Sequence, residues 1–99
     1  MNKDDLVLLL VKAQIDPEVK GNQELLAIIE GALADLKRDE PVNLVATKTS
    51  ASLSSYLLTH HLTAPQTVLD VKKATNKEAN KYHGTAYTAM LLGGLFGGH

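Results

Sequence analysis

The feature that most constrains the fold of this chain is the segment 53–66, where a helix-compatible run ends in two histidines and a second helix start follows almost at once. Thr63 and Gln66 have the spacing of a capping box, in which each side chain satisfies a backbone N–H of the other residue. Pro65 fits the first turn of a helix, since its missing N–H needs no partner there. A connection this short predicts two helices that lie side by side in opposite directions.

Four segments of the chain have the apolar spacing of helices, and no segment shows the alternation of a strand. Asn2, Asp16 before Pro17, and Asn22 are helix-start signals, because their side-chain oxygens accept hydrogen bonds from free backbone N–H groups. The chain is therefore predicted to be all-α. The predicted helices cover 3–15, 22–38, 41–61 and 63–82.

The apolar residues of each helix indicate which faces are buried. In the first helix, Leu8 and Val11 widen the apolar stripe, which predicts burial on more than one side. Gly31 lowers the stability of the second helix by about 1 kcal/mol relative to Ala, and it predicts a close crossing with a neighbouring helix. The residues of the third helix that are expected to face solvent are Lys48, Thr49, Ser52 and Ser55.

The composition fits one domain with an aliphatic core. A chain of 99 residues is expected to bury roughly two-thirds of its unfolded surface, and 44% of the residues are hydrophobic while 4% are aromatic. We expect an antiparallel four-helix bundle over residues 1–83. We expect residues 84–99 to form a Gly/Leu-rich tail or short helix that packs on the bundle or extends from it. The chain has no Cys, which excludes disulfides, thiolate metal sites and a Cys nucleophile.

Charge and motifs argue against several classes of function. The net charge is −1, with six Lys/Arg and nine Asp/Glu in residues 1–50 and four Lys and two Asp/Glu in residues 51–99, so nucleic-acid binding is not expected. No Ser-His-acid arrangement, P-loop or paired carboxylate motif indicates an enzyme, a small-molecule substrate or a cofactor. His60 and His61 point about 100° apart on a helix, so no metal chelation is expected. Without a secretory signal or an apolar run of about 20 residues, we expect a cytoplasmic location.

Two stretches of the sequence resemble one protein family. The first is Asp-Pro-Glu-Val-Lys at 16–20, followed by Asn22 and the leucines at 25–26. The second runs from Leu-Ser-Ser-Tyr-Leu-Leu-Thr-His at 53–60 through Pro65. Together they are similar to the immunity proteins for pediocin-like bacteriocins, the enterocin A immunity family.

The resemblance implies a function and a partner. It implies a cytosolic antiparallel four-helix bundle that protects a Gram-positive bacterium from a membrane-permeabilising peptide. It further implies binding to the bacteriocin-loaded mannose phosphotransferase permease from the cytosolic side, with specificity in the C-terminal half. Association with the inner face of the membrane is a second expectation.

The expected partner surface combines the end of the third helix, the fourth helix and the tail. Its candidate residues are Tyr56, His60, His61, Lys72, Lys73, Lys81, Tyr82, Tyr87, Leu95 and Phe96.

Each group of candidates also has a structural explanation. The histidines can cap carbonyls at the end of a helix, and Tyr56 can lie in the core with its hydroxyl at the edge. The lysines can form a solvated face or contact an acidic permease loop or anionic lipid headgroups. The tail residues can pack on the bundle or stay exposed as an apolar contact surface. The alternative functions are a helical adaptor or dimerisation module and, on the short hairpin at 60–66, a helix-turn-helix DNA-binding protein.

Overall fold

The computed structural model describes residues 1–80 of the chain. These residues form five helices and no strand, which confirms the all-α prediction for this part of the chain. The helices are α1 (Lys3–Gln14), α2 (Pro17–Lys20), α3 (Gln23–Lys37), α4 (Val42–Thr59) and α5 (Gln66–Ala79).

Side-chain caps start the first three helices, as the sequence predicts. The Asn2 carboxamide oxygen accepts a hydrogen bond from the backbone N–H of Asp5 at 2.8 Å. The Asp16 carboxylate accepts from the N–H of Glu18 at 2.9 Å, ahead of Pro17. Asn22 caps α3 through the N–H of Leu25 at 3.2 Å. Each cap satisfies a backbone donor that has no partner inside its helix.

The four longer helices contact one another in a closed order. α4 packs against α3 and α5, and α1 packs against the same two helices, while the short α2 lies mainly on α3. The antiparallel bundle predicted for residues 1–83 stays a prediction, as does the division from a tail at 84–99. Residues 81–99 lie outside the described part of the chain.

The core between these helices is aliphatic, as the composition predicts. Tyr56 is the only Tyr, Phe or Trp in residues 1–80. Each fully buried aliphatic side chain contributes about 1.5–3 kcal/mol relative to exposure to water. The larger aliphatic side chains with essentially no exposure are Leu6, Leu10, Val19, Leu25, Ile29, Leu36, Val45, Leu53, Val68 and Val71.

The predicted burial of α1 on more than one side is wrong within the described residues. Leu8 is 56% exposed and Val11 is 37% exposed, while Leu6, Leu10 and Ala13 are buried. Since α3 and α5 both contact the inner side of α1, its outer face has no helix of residues 1–80 packed over it. The apolar stripe is therefore wider than the surface that these helices cover.

Two further expectations about α3 and α4 are also wrong. Gly31 makes no close crossing, because a Cβ placed on it meets no atom within 4 Å. Thr49 does not face solvent, since it is only 4% exposed. α4 contacts α3 on one side and α5 on the other, so a broad part of its surface is buried and includes small polar residues.

α3 and α4 end in the same backbone motif without a glycine. The N–H of Glu40 donates to the carbonyl of Asp35 at 3.2 Å, and the N–H of Leu62 donates to that of Leu57 at 2.8 Å. These are the 6→1 hydrogen bonds of a Schellman motif, which places the preceding residue in the left-handed region. Asp39 has φ 60° there and His61 has φ 57°.

A polar cluster at the end of α3 joins it to α4. The Asp35 carboxylate accepts hydrogen bonds from Lys48 Nζ of α4 at 3.2 Å and from the guanidinium of Arg38. Burial raises the pKa of the Asp35 carboxyl. Hydrogen bonds with the Lys48 and Glu40 side chains, and the charges of Lys48 and Arg38, lower that pKa by more, so it falls below its ordinary value of 3.8.

Replacing His61 by Gly should stabilise the protein. A side chain in the left-handed region costs about 1–2 kcal/mol, most of which glycine avoids. We expect His61→Gly to raise the free energy of unfolding by about 1 kcal/mol in urea denaturation. The control is Ala27→Gly on the exposed side of α3, which should lower it by about 1 kcal/mol. A His61→Gly variant as unstable as Ala27→Gly would contradict this backbone assignment.

The lowered pKa of Asp35 predicts a pH dependence of stability. A carboxyl with a depressed pKa in the folded state stabilises the protein above its unfolded-state pKa, and this contribution is lost as pH falls through the folded-state value. Asp35→Asn should therefore unfold at lower urea than the wild type at pH 7, and the difference should shrink below pH 3.8. Asp39→Asn, which changes an exposed carboxylate, serves as the control and should have the smaller effect at pH 7. A difference for Asp35→Asn that does not change with pH would contradict the assignment.

Candidate functional site

The corner between α4 and α5 comprises residues 56–65, from the last turn of α4 through the connection to α5, and it does not contain the predicted capping box. The Thr63 hydroxyl donates to the His60 carbonyl at 2.7 Å, and the Gln66 amide donates to Asp70 Oδ1 at 2.9 Å. Pro65 is the N-cap of α5 and not a residue of its first turn. The Thr63 hydroxyl is taken by the end of α4, so the start of α5 has no side-chain cap.

Tyr56 and His60 form the structured part of this corner. Their rings stack with centroids 3.9 Å apart and planes inclined by 10°. The Tyr56 hydroxyl accepts a hydrogen bond from the Asn22 carboxamide nitrogen at 2.8 Å, and the same Asn22 side chain caps α3. Tyr56 is therefore buried with its hydroxyl at the edge, and it ties the last turns of α4 to the start of α3.

The His60 side chain contacts the end of α4, whereas the His61 side chain is exposed. His60 Nδ1 lies 2.8 Å from the carbonyl oxygen of Tyr56 and 2.9 Å from the hydroxyl oxygen of Thr59, so this nitrogen has a hydrogen-bond partner in either tautomer. Its Nε2 lies 3.6 Å from a Glu24 carboxylate oxygen. The His61 side chain is exposed, and its backbone is in the left-handed region. The two histidines thus face different surroundings.

Two leucines at the corner are exposed, and neither is among the residues predicted for the partner surface. Leu58 is 68% exposed and Leu62 is 69% exposed. They lie within residues 49–69, a segment that contains no Asp, Glu, Lys or Arg. Large apolar side chains on the surface of an uncharged segment are typical of a contact surface. The absence of formal charge over this segment is the sequence signal that could have identified them.

The structure separates the two candidate lysines of α5, Lys72 and Lys73, and places the exposed Lys77 one turn beyond Lys73. Lys73 and Lys77 are exposed on α5 one turn apart, whereas Lys72 is half-buried. Lys72 Nζ donates to the side-chain oxygen of Asn76, which also accepts from the Ser50 hydroxyl of α4. Burial lowers the pKa of Lys72 below its ordinary value of 10.5. Lys72 thus takes part in the α4–α5 contact, and the other two lysines face solvent.

The remaining candidates belong to residues 81–99. Lys81, Tyr82, Tyr87, Leu95 and Phe96 lie outside the described residues. In residues 1–80, no group of three or more His, Cys, Asp or Glu side chains is arranged to hold a metal ion. None of the five helices has the length and the apolar character needed to cross a membrane.

A comparison with known families identifies the class of this all-helical chain. The model of the bacteriocin immunity protein family matches residues 1–80. The match covers most of the chain, so the protein belongs to the bacteriocin immunity protein family, which confirms the resemblance. This is not a family of enzymes. No curated protein and no solved structure matches the chain.

The Tyr56 hydroxyl should contribute measurably to stability. Tyr56→Phe removes the acceptor of the Asn22 amide and keeps the ring that stacks on His60. We expect the free energy of unfolding to fall by about 1 kcal/mol, the usual effect of losing one such hydrogen bond. Tyr56→Ala should lower it by about 3–5 kcal/mol, because it also opens a cavity. If Tyr56→Phe and Tyr56→Ala lowered the free energy of unfolding equally, the hydroxyl and the ring would not make the separate contributions expected here.

Proposed function

We propose that this protein protects a bacterium against a pediocin-like bacteriocin. The supporting observation is the match of residues 1–80 to the bacteriocin immunity protein family, together with the 16–20 and 53–60 stretches that resemble the pediocin-type members. In the proposed fold, the closed order of contacts among α1, α3, α4 and α5 is an antiparallel four-helix bundle. The protein acts in the cytoplasm and is not a catalyst.

The proposed partner is the mannose phosphotransferase permease carrying the bound bacteriocin, met from the cytosolic side. Protection requires preference for the loaded permease over the free one, since a protein that binds both equally shifts neither population. The family match does not name this partner. The resemblance of the 16–20 and 53–60 stretches to the pediocin-type immunity proteins implies it, and the exposed leucines of the α4–α5 corner are compatible with an apolar contact. A membrane permease offers apolar surface near the bilayer, and the corner presents exposed leucines without a formal charge.

We assign the partner contact to the corner and to the exposed side of α5. Leu58 and Leu62 form its apolar part, with the exposed His61 next to Leu62 in the sequence. Burying each leucine would contribute about 1.5–3 kcal/mol. Lys73 and Lys77 supply positive charge for an acidic permease loop or for anionic headgroups at the inner face of the membrane. Tyr56 and His60 hold the corner in shape. Of the candidates beyond α5, Lys81 and Tyr82 belong to the same proposal.

Protection should depend on the exposed leucines of the corner. We expect the double variant Leu58→Asp, Leu62→Asp to lose most of its protection when expressed in a sensitive Gram-positive strain and challenged with a panel of pediocin-like bacteriocins. A carboxylate at either position must be desolvated on binding, which costs several kcal/mol. The measurement is the minimal inhibitory concentration of each bacteriocin.

Leu8→Asp on α1 is the matched control, because Leu8 is exposed to a similar degree and lies on another helix. It should protect as well as the wild type. Full protection by the corner variant would contradict the assigned surface. Failure of the wild type against the whole panel would contradict the proposed bacteriocin class. A pull-down with affinity-tagged protein tests the required preference for the loaded permease. Recovery of the same amount of permease with and without bacteriocin would contradict this preference.

A further inference from the structure

A groove with an apolar floor runs between α1 and α3 on the side of the molecule formed by these two helices. It has a volume of about 400 Å³. Its polar rim is supplied by Lys3, Gln14, Glu30 and Lys37, and its floor by Val7, Val11, Leu33, Ala34 and Leu36. Val11 remains 37% exposed, so this floor is open to solvent among residues 1–80. The groove is separate from the α4–α5 corner.

The two ends of the groove are defined by contacts between the helices. At one end, Lys3 Nζ of α1 lies 3.2 Å from the Asp39 carboxylate just beyond α3. At the other end, the Gln14 amide donates to Glu30 at 3.5 Å. The groove therefore extends along the full length of α1, whose 12 residues span roughly 18 Å.

The last described residues of the chain lie close to the Lys3 end of the groove. Glu78, in the last turn of α5, lies 3.3 Å from the amino group of Met1, two residues before Lys3. The segment that follows α5 therefore leaves the described part of the molecule close to where the groove begins. The sequence continues for a further 19 residues, 81–99. In helical form alone such a segment spans roughly 28 Å, which exceeds the length of the groove.

The chemistry of that segment matches an apolar floor. Residues 82–99 contain no Asp, Glu, Lys or Arg, so their side chains can leave water without losing the hydration of a formal charge. The apolar side chains available for the floor are Tyr87, Met90, Leu91, Leu92, Leu95 and Phe96. The four glycines at 93, 94, 97 and 98 permit close approach of the backbone to the groove walls.

We propose that residues 84–99 occupy the α1–α3 groove of the same molecule. The apolar side chains of this segment cover Val7, Val11 and Leu33, and the rim of the groove stays in water. Val7 and Val11 of α1 then become part of the core, whereas Leu8, which does not line the groove, stays exposed. This docking is independent of the proposed contact with a permease and holds for the protein alone in solution.

Paramagnetic relaxation in the full chain tests this docking. The chain has no Cys, so Leu95→Cys provides a single attachment point for a nitroxide label. We expect selective broadening of the backbone amide signals of Val7, Val11 and Leu33, while those of Leu58 and Leu62 keep their intensity. The same measurement on a mixture of labelled unenriched chain and unlabelled ¹⁵N-enriched chain should show no broadening at these positions.

Three outcomes would overturn the proposal. The first is uniform broadening or none, which would mean that the segment has no fixed site. The second is broadening centred on α4 and α5. The third is broadening that persists in the mixed sample, which would make a second copy the occupant.

A variant of the groove separates docking from general loss of structure. Val11→Asp should abolish the selective broadening, because the carboxylate would be buried by the docked segment. Leu58→Asp, which adds the same group at the corner, should leave the broadening intact. If Val11→Asp does not fold, Ala34→Glu at the exposed side of the same groove replaces it. Broadening that survives both groove variants in the folded state would contradict the proposal.

Discussion

The structure depends on α4, whose surface is buried on two sides at once. α3 covers one side and α5 covers the other. Large aliphatic residues such as Val45 and Leu53 fill the core, while Thr47 and Thr49 are small enough to be buried between closely packed helices. The Thr47 hydroxyl donates to the carbonyl of Asn43 at 2.7 Å, so its burial leaves no donor unsatisfied. A helix packed in this way fixes where both of its ends lie, and the functional corner is one of those ends.

Local chemistry explains which parts of the fold could be predicted from the sequence. Asn2, Asp16 and Asn22 cap helices because each needs only the N–H groups two or three residues ahead. The predictions that failed depend on tertiary neighbours. The burial of Leu8 depends on how many helices pack around α1. The Thr63 hydroxyl donates to the His60 carbonyl at the end of α4 and therefore does not cap α5. Periodicity indicates an apolar face but not whether another element covers it.

The same distinction applies to the candidate site. The sequence identified Tyr56 and His60 as part of one corner, and the structure shows them stacked. It could not show that Tyr56 and Asn22 share a hydrogen bond across 34 positions of the chain. Nor could it separate the half-buried Lys72 from Lys73, which are neighbours in the sequence and differ only through the packing of α5 on α4.

The distribution of charge over the second half of the chain accounts for both proposed contacts. Residues 49–69 and 82–99 have no Asp, Glu, Lys or Arg, and the charged positions between them all lie in 70–81. Removing a formal charge from water is costly, so an uncharged segment can be buried against a partner or against the chain itself at far lower cost. The corner is folded and exposed, which suits it to a separate partner. The terminal segment begins beside an open groove, so its lack of formally charged side chains favours a contact within the molecule.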